Sequence, residues 1–592
     1  MNPPRSVFSR HNIRLSILAG LLILPVIAIG WKLFSIQVLR GKEFQAKATA
    51  QQLRQFEIPA KRGEIFLEDN GELYPIALNN RLKYLYADPK LIPNPEKAAQ
   101  ELAPIINADA GKLKNDLTYK ESINNRYIEL KQQVSKADAQ KISDLKIRGL
   151  VLKDRDYRSY PEGNLFSHVL GYVNADNKGQ YGVEEYLDQD RPNIAGISGE
   201  NGMLKAITDS QGTPISTQDN IIKEPRNGTS YILTIDRYIQ NIAQAAIAKA
   251  VKDNQAESGS MIVMDPYSGA IKAMVNVPDY DPNNYGAVKS DNYRSFINSA
   301  ITNQFEPGSG FKPLTMSIGL ESGKITPATS FTDPGSVKIG EYTITNAEQK
   351  TFGTVDMSLI IKNSINTGMV YILRVLGGNP SQITRAGKDI LHDGIMKFGF
   401  GKKTGIELAG EASGRVKDAS AADIDYANMT FGQGIATTSI QMISAIASIA
   451  NGGTLVTPHV LAKSIKPNGE IISVPHEPRN KQVIGEKTAS DVASMMIKVV
   501  EGGSGYLTRM PGYKIAGKTG TAQVPKPGGG YEEDKNIGSF IGFAPVDNPR
   551  FIIMVRVDYP KTKTFAERSA VPAFAEVAKQ LFSYYQVPPS TQ

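Results

Sequence analysis

The longest uncharged stretch of the chain is LSILAGLLILPVIAIGW, residues 15–31, and Arg5, Arg10, His11 and Arg14 precede it. A helix of this length spans about 25 Å, and Leu33 to Val38 extend it across a hydrocarbon core. Pro25 is tolerable in such a helix. Trp31, the only tryptophan, followed by Lys32, has the character of an interfacial anchor. A cleaved signal peptide and a buried helix are the alternatives. The small-residue triplet Ala48-Thr49-Ala50 lies far beyond the apolar core, which favours an uncleaved anchor over residues 15–35. Positive charge ahead of the helix predicts residues 1–14 in the cytoplasm and the remainder outside.

Beyond the anchor the pattern shortens. Residues 40–58 read as a helical stalk running into a strand, and KRGEIFLEDNGE (61–72) alternates around an Asn-Gly hairpin signal. Residues 93–150 read as helix-forming, charged and weakly amphipathic, and 155–228 are rich in turn signals. Residues 36–225 are therefore expected to be a non-catalytic α+β module, a pedestal. From Gly228 the texture changes. YILTID (231–236) reads as a strand, followed by the helix IQNIAQAAIAKAVKD. Residues 259–277 and 539–560 read as hairpins turning at Asp265-Pro266 and Asp547-Asn548-Pro549, and FAEVAKQLFSYY (574–585) as a closing amphipathic helix. With helix-rich sequence between 310 and 450, residues 226–592 predict an α+β domain: an antiparallel sheet covered by helices, with a helical subdomain inserted.

Composition narrows the chemistry. The 592 residues carry a formal net charge of +8, but Lys and Arg are dispersed, which argues against nucleic-acid binding and suits anionic lipid or a cell-wall polymer. There is no cysteine, and the five histidines show no HxH or HExxH spacing. No metal site, no cofactor and no Ser-His-Asp triad is expected. Any serine nucleophile here needs a base other than histidine.

Such a pair stands at FEPGSGFKPLT (305–315), where Ser309 and Lys312 share one helical face just after Pro307-Gly308. At a helix start Ser309 offers a free backbone N–H to an oxyanion. Lys312 can serve as base only if burial or a nearby cation lowers its pKa. SxxK alone is common and recurs at Ser143–Lys146. Fifty-five residues after Ser309, IIKNSINTGMV places Ser364 and Asn366 on one turn, where they can relay a proton and bind an amide; a helix N-cap at Ser364 is the structural alternative. The third motif is YKIAGKTGTAQV. On a strand, Lys518 and Gly520 face one way and Thr519 and Thr521 the other. An edge strand there can pair with an extended peptide, hold a carboxylate and offer a second oxyanion donor. Lys518 is also the cation expected to depress the pKa of Lys312. A second Lys-Thr-Gly at 403–405 sits among glycines in a loop-like stretch.

Ser-x-x-Lys, Ser-x-Asn and Lys-Thr-Gly in this order resemble the signature of penicillin-binding proteins and serine β-lactamases. The resemblance covers nearly the whole chain and extends to KRGEIFLEDNG, RSYPEGNLFSHVLGYVN (158–174), TFGQGIATTSIQM (430–442), IANGGTLVTP (449–458) and SFIGFAPVDNP. It is similar to the class B, monofunctional D,D-transpeptidases, above all to the division-type enzyme of septal peptidoglycan. That resemblance implies Ser309, Lys312 and Ser364 as catalytic residues and Asn366, Lys518, Thr519, Gly520 and Thr521 as substrate-binding residues. It implies peptidoglycan stem peptides ending in D-Ala-D-Ala and an amine acceptor as substrates, and β-lactams as inhibitors. It further implies a polytopic glycan polymerase and other division membrane proteins as partners. Two positions depart from the family pattern: Gly310, where Thr or Ser is usual, and Val571. Residues 526–534, KPGGGYEED, read either as a hairpin loop or as a flap over the site. An elongation-type transpeptidase, a β-lactamase or β-lactam sensor, and a catalytically weak assembly scaffold are the competing readings. Against a β-lactamase stands the lack of an ExxLN-like acid between the second and third motifs.

Overall fold

The computed structural model describes residues 8–44, 53–69, 71–189, 191, 194–207, 221–476, 481–526, 530–562 and 565–589. The uncharged N-terminal run forms helix α1 (Phe8–Phe34), continued by a π-helical turn at Ser35–Leu39. Ile17–Leu39, 23 residues of mean hydropathy 2.2, is the one helix among the described residues long and apolar enough to cross a membrane. It runs past the expected limit at 35, to the exposed Arg40–Glu43 ion pair. Residues 45–52 of the expected stalk lie outside the described residues. Strand β1 (Leu53–Ile58) joins Gly202–Ile207 and Ile221–Lys223 in a three-stranded antiparallel sheet. These segments form one compact unit, Met1–Lys61 with Gly199–Asn227; Arg62–Ser198 with Gly228–Gln592 form the other.

The second unit opens with the expected hairpin, β2 (Ile65–Asp69) against β3 (Glu72–Ala87), although Asn70 itself lies outside the described residues. Helices α2 (Pro95–Ile106) and α3 (Ala110–Leu117) follow, capped by Asn94 and Asp109. Ile128–Val134, inside the stretch expected to be helical, is instead strand β4, followed by helix α4 (Lys136–Asp144) and strand β5 (Leu150–Ser159). Both β4 and β5 pair with β3. Local charge favoured helix, but pairing with a distant strand won. Leu85 and Ala87 of β3 are buried beneath Ala98, Ala99 and Leu102 of α2 and Ile142 of α4.

Strand β6 (Ser230–Leu233) runs parallel to β2, so residues on both sides of the boundary expected at 225/226 share a sheet. Asp236 then caps helix α5 (Arg237–Asp253) by accepting the Ile239 N–H at 3.0 Å. The hairpin of β7 (Ser258–Met264) and β8 (Ile271–Val277) turns where Asp265 accepts the N–H groups of Tyr267 and Ser268. Between these strands and their partners come α6 (Lys312–Glu321), α7 (Met357–Lys362), α8 (Asn366–Leu376), α9 (Ser439–Ala450), strands β9 (Leu461–Ile465) and β10 (Ile471–Ser473), and α10 (Glu486–Gly502). The chain closes with β11 (Ala516–Pro525), β12 (Tyr531–Ala544), β13 (Phe551–Asp558) and α11 (Ala566–Tyr584). The order β8-β7-β13-β12-β11 makes a five-stranded antiparallel sheet with β11 at its edge.

Both faces of this sheet are buried. Met261, Val263, Phe540 and Val555 pack with α5 and α11, while Ile262, Met264, Ile541 and Met554 face the core built on α6 and α9. Burial on both sides explains why FIIMV (551–555) reads as a continuous apolar run rather than an alternation. Helix α9 is buried at every residue and starts with a capping box between Thr438 and Gln441.

Candidate active site

The segment that carries Ser309 is held by two glycines that lack room for a side chain. Gly308 has φ +54, and a Cβ there would stand 2.6 Å from the Thr521 carbonyl oxygen. Its N–H donates to Gly432 O at 3.0 Å. Across from it, a Cβ on Gly520 would meet Pro307 O at 2.7 Å. The turn Gly308–Phe311, a 3₁₀ turn, therefore lies directly on edge strand β11 and runs into α6, with Pro313 in the first helical turn. Ser309 is half-buried in that turn. Gly310 is different: a Cβ there meets only ordinary contacts at 3.9 Å, to Gly520 Cα and Met442 Cε.

Lys312 is fully buried. Its Nζ donates to Ser364 O at 2.5 Å, to Ser364 Oγ at 3.0 Å and to Asn366 Oδ1 at 2.7 Å. Ser364 lies between α7 and α8 in the left-handed region, φ +55, and brings both its carbonyl and its hydroxyl onto the lysine. The N-cap reading of Ser364 is overturned, since α8 begins at Asn366 with Ile365 at the cap position. Asn366 has partners within the protein as well. Its oxygen takes Lys312 and its Nδ2 donates to Thr345 O at 2.8 Å, so the amide is largely engaged within the protein.

Lys518 lies on β11, also fully buried, with Nζ donating to Thr519 O at 3.1 Å. Burial pushes its pKa down to about 7, against the pull of Glu567. Burial, and then the charge of Lys518, holds Lys312 well below the ordinary lysine value. Thr519 Oγ1 shares a 2.6 Å hydrogen bond with Ser504 Oγ. Thr521 is exposed, and its Oγ1 accepts the Ala566 N–H at 3.5 Å.

The structure thus joins Lys312, Ser364 and Asn366 by direct hydrogen bonds and lays Gly520 and Thr521 against the serine turn. Ser504, inside GGSG, and Glu306, which accepts the Gly434 N–H at 2.8 Å and the Tyr531 hydroxyl at 3.1 Å, were not foreseen. Glu306 does stand in the quoted FEPGS stretch, whereas Ser504 carries no spacing signal. At the described ends of 526–534, Lys526 N–H donates to Gly530 O at 2.9 Å between β11 and β12, which is a hairpin connection; residues 527–529 lie outside the described residues. Among the described residues no group of three or more His, Asp or Glu is placed to hold a metal ion.

The chain is similar to known proteins. Residues 259–581 match the penicillin binding protein transpeptidase domain, and residues 57–233 the penicillin-binding protein dimerisation domain. Stage V sporulation protein D of Bacillus subtilis is 31% identical over 578 residues, spanning 97% of this chain and 86% of that protein. The peptidoglycan D,D-transpeptidase FtsI of Buchnera aphidicola is 30% identical over 589 residues, spanning 98% and 96%. Penicillin binding protein 3 of Mycobacterium tuberculosis, solved with aztreonam, superposes with a TM-score of 0.68 at 25% identity, covering 90% of this chain and 98% of that one. The chain belongs to the class B penicillin-binding proteins, the peptidoglycan D,D-transpeptidases that join a dimerisation-type domain to a transpeptidase domain.

Proposed function

We propose that Ser309 is the acyl-accepting nucleophile of this transpeptidase and Lys312 its general base. The observation that carries this reading is the buried Lys312 amine, bonded to Ser364 and Asn366 and held below its ordinary pKa. A neutral Lys312 takes the Ser309 proton as Oγ attacks the penultimate carbonyl of a D-Ala-D-Ala stem peptide. The Ser309 and Thr521 N–H groups receive the oxyanion. When the C–N bond breaks, the proton passes through Ser364 to the departing D-Ala amine. A second stem-peptide amine then attacks the ester, its proton returns to Ser309 through the same groups, and the crosslink forms. Lys518, Thr519 and Thr521 hold the terminal carboxylate of the donor, and β-lactams acylate the same serine.

The test is labelling of the full chain with a fluorescent penicillin, followed by peptide mapping. The adduct is expected on Ser309 and is abolished in Ser309→Ala with folding intact. Labelling that persists in that variant refutes the nucleophile.

Residues 226–592 would carry this chemistry and 36–225 would serve as the pedestal, with α1 as a single-pass anchor, residues 1–14 cytoplasmic and the catalytic domain outside. Support comes from the apolar span and from the basic residues ahead of it. On the resemblance to division-type enzymes, the activity belongs at the septum, with a polytopic glycan polymerase and division membrane proteins as partners. A tagged copy distributed along the side wall would contradict that placement.

A further inference from the structure

Asp333 ends the strand Ser330–Asp333, between the first and second motifs, and is 2% exposed. Its carboxylate accepts five hydrogen bonds. Oδ1 takes Gly335 N at 2.9 Å, Asn346 Nδ2 at 3.0 Å and Thr367 Oγ1 at 2.6 Å; Oδ2 takes Asn346 Nδ2 at 2.9 Å and Phe352 N at 2.9 Å. All of these donors are neutral. Burial pushes the Asp333 pKa up, but the bonds from Thr367, Gly335, Phe352 and Asn346 outweigh it and hold the group below the ordinary aspartate value.

What the cluster grips is Asn366, from both sides. Thr367, its chain neighbour, gives its N–H to Asn346 Oδ1 at 3.1 Å and its hydroxyl to Asp333. Thr345, the neighbour of Asn346, supplies the carbonyl that accepts Asn366 Nδ2 at 2.8 Å. An amide has one oxygen and one NH₂ group. With Nδ2 committed to Thr345, Oδ1 must face Lys312 Nζ, which it does at 2.7 Å. A flipped amide would instead turn N–H groups toward an amine that already donates to Ser364.

We infer that Asp333 is a positioning residue for the general base: through Asn346 and Thr367 it locks the Asn366 amide, whose oxygen holds Lys312 beside Ser364. This rests on Lys312 being the base. The groups facing Lys312 are Lys518 from β11, itself faced by Glu567 of α11, and Ser364 and Asn366 from the junction of α7 and α8. Loss of the lock removes an acceptor from the charged form of Lys312, so its pKa falls, and frees the amine from its aligned position.

The test measures acylation of the full chain by a fluorescent penicillin across pH, separating pre-covalent affinity from the acylation rate constant. In Asp333→Asn and, should that variant fold poorly, in Thr367→Val, the rate constant is expected to fall on the order of tenfold to a hundredfold. Affinity stays unchanged, and the rising limb of the profile moves to lower pH. Thr367→Ser keeps wild-type behaviour. In an Asn366→Ala background, Asp333→Asn adds nothing further, because the two act as one unit. A lowered melting temperature with an unmoved pH profile, or full additivity with Asn366→Ala, overturns the inference while Ser309 still labels. A wild-type chain without an adduct on Ser309 overturns the catalytic reading, and this inference with it.

Discussion

Lys-Thr-Gly occurs at 403–405 and again at 518–520, in opposite surroundings. In the first copy Lys403 is exposed, and the triplet wraps around a carboxylate. Thr404 gives its N–H to Glu411 Oε1 at 2.5 Å and its hydroxyl at 2.6 Å, while Gly405 N–H reaches Oε2 at 3.1 Å. Those donors are consumed in closing a loop. In the second copy the same letters lie on an edge strand, Lys518 is fully buried, and Gly520 brings the strand against the serine turn. Only in the second copy is the lysine desolvated beside a second lysine and does the glycine let two backbones touch, which is why the proposed chemistry is assigned there.

The largest expected contrast is between the two lysines. Lys518→Ala should lower the acylation rate constant on the order of 10²–10³-fold, since the group proposed to hold the donor carboxylate is lost from a buried position. It should also move the rising limb of the pH profile upward, because a like charge no longer depresses Lys312. Lys403→Ala should leave both unchanged. Equal losses from the two variants, read by stopped-flow acylation, would erase the distinction.

A smaller contrast separates the glycines of the serine turn. Gly520→Ala puts a Cβ 2.5 Å from Ser539 Oγ and 2.7 Å from Pro307 O, so strand and turn must part. Acylation should drop on the order of a hundredfold with displacement of the order of 1 Å. Gly310→Ala meets nothing closer than 3.9 Å. It should leave acylation intact and raise stability by about 0.4–1 kcal/mol, measured by denaturant unfolding, because the unfolded chain loses freedom. Gly310 is therefore not a steric requirement of the turn.

The apolar N-terminal helix, the hairpins at 259–277 and 539–560, and each of the three motifs were legible because each is written in consecutive residues. What the sequence left hidden depends on partners far apart in the chain. Strand β4 exists because β3 lies ready to pair with it, against a local preference for helix. The left-handed turn of Ser364 and the inward commitment of Asn366 follow from where Lys312 arrives. The Asp333 cluster unites residues from 333 to 367 that share no periodicity, and Ser504 finds Thr519 only once α10 and β11 are packed. Val571 is buried in α11, and nothing in its packing sets it apart.

The central claim, that Lys312 is a base made available by burial and by Lys518, is tested most directly by the pH dependence of Ser309 acylation. An amine with a depressed pKa is neutral from well below 10.5 upward, so the rate constant should rise with its midpoint well under that value. A midpoint at the ordinary lysine value, or a rate indifferent to pH while labelling remains on Ser309, would contradict the account.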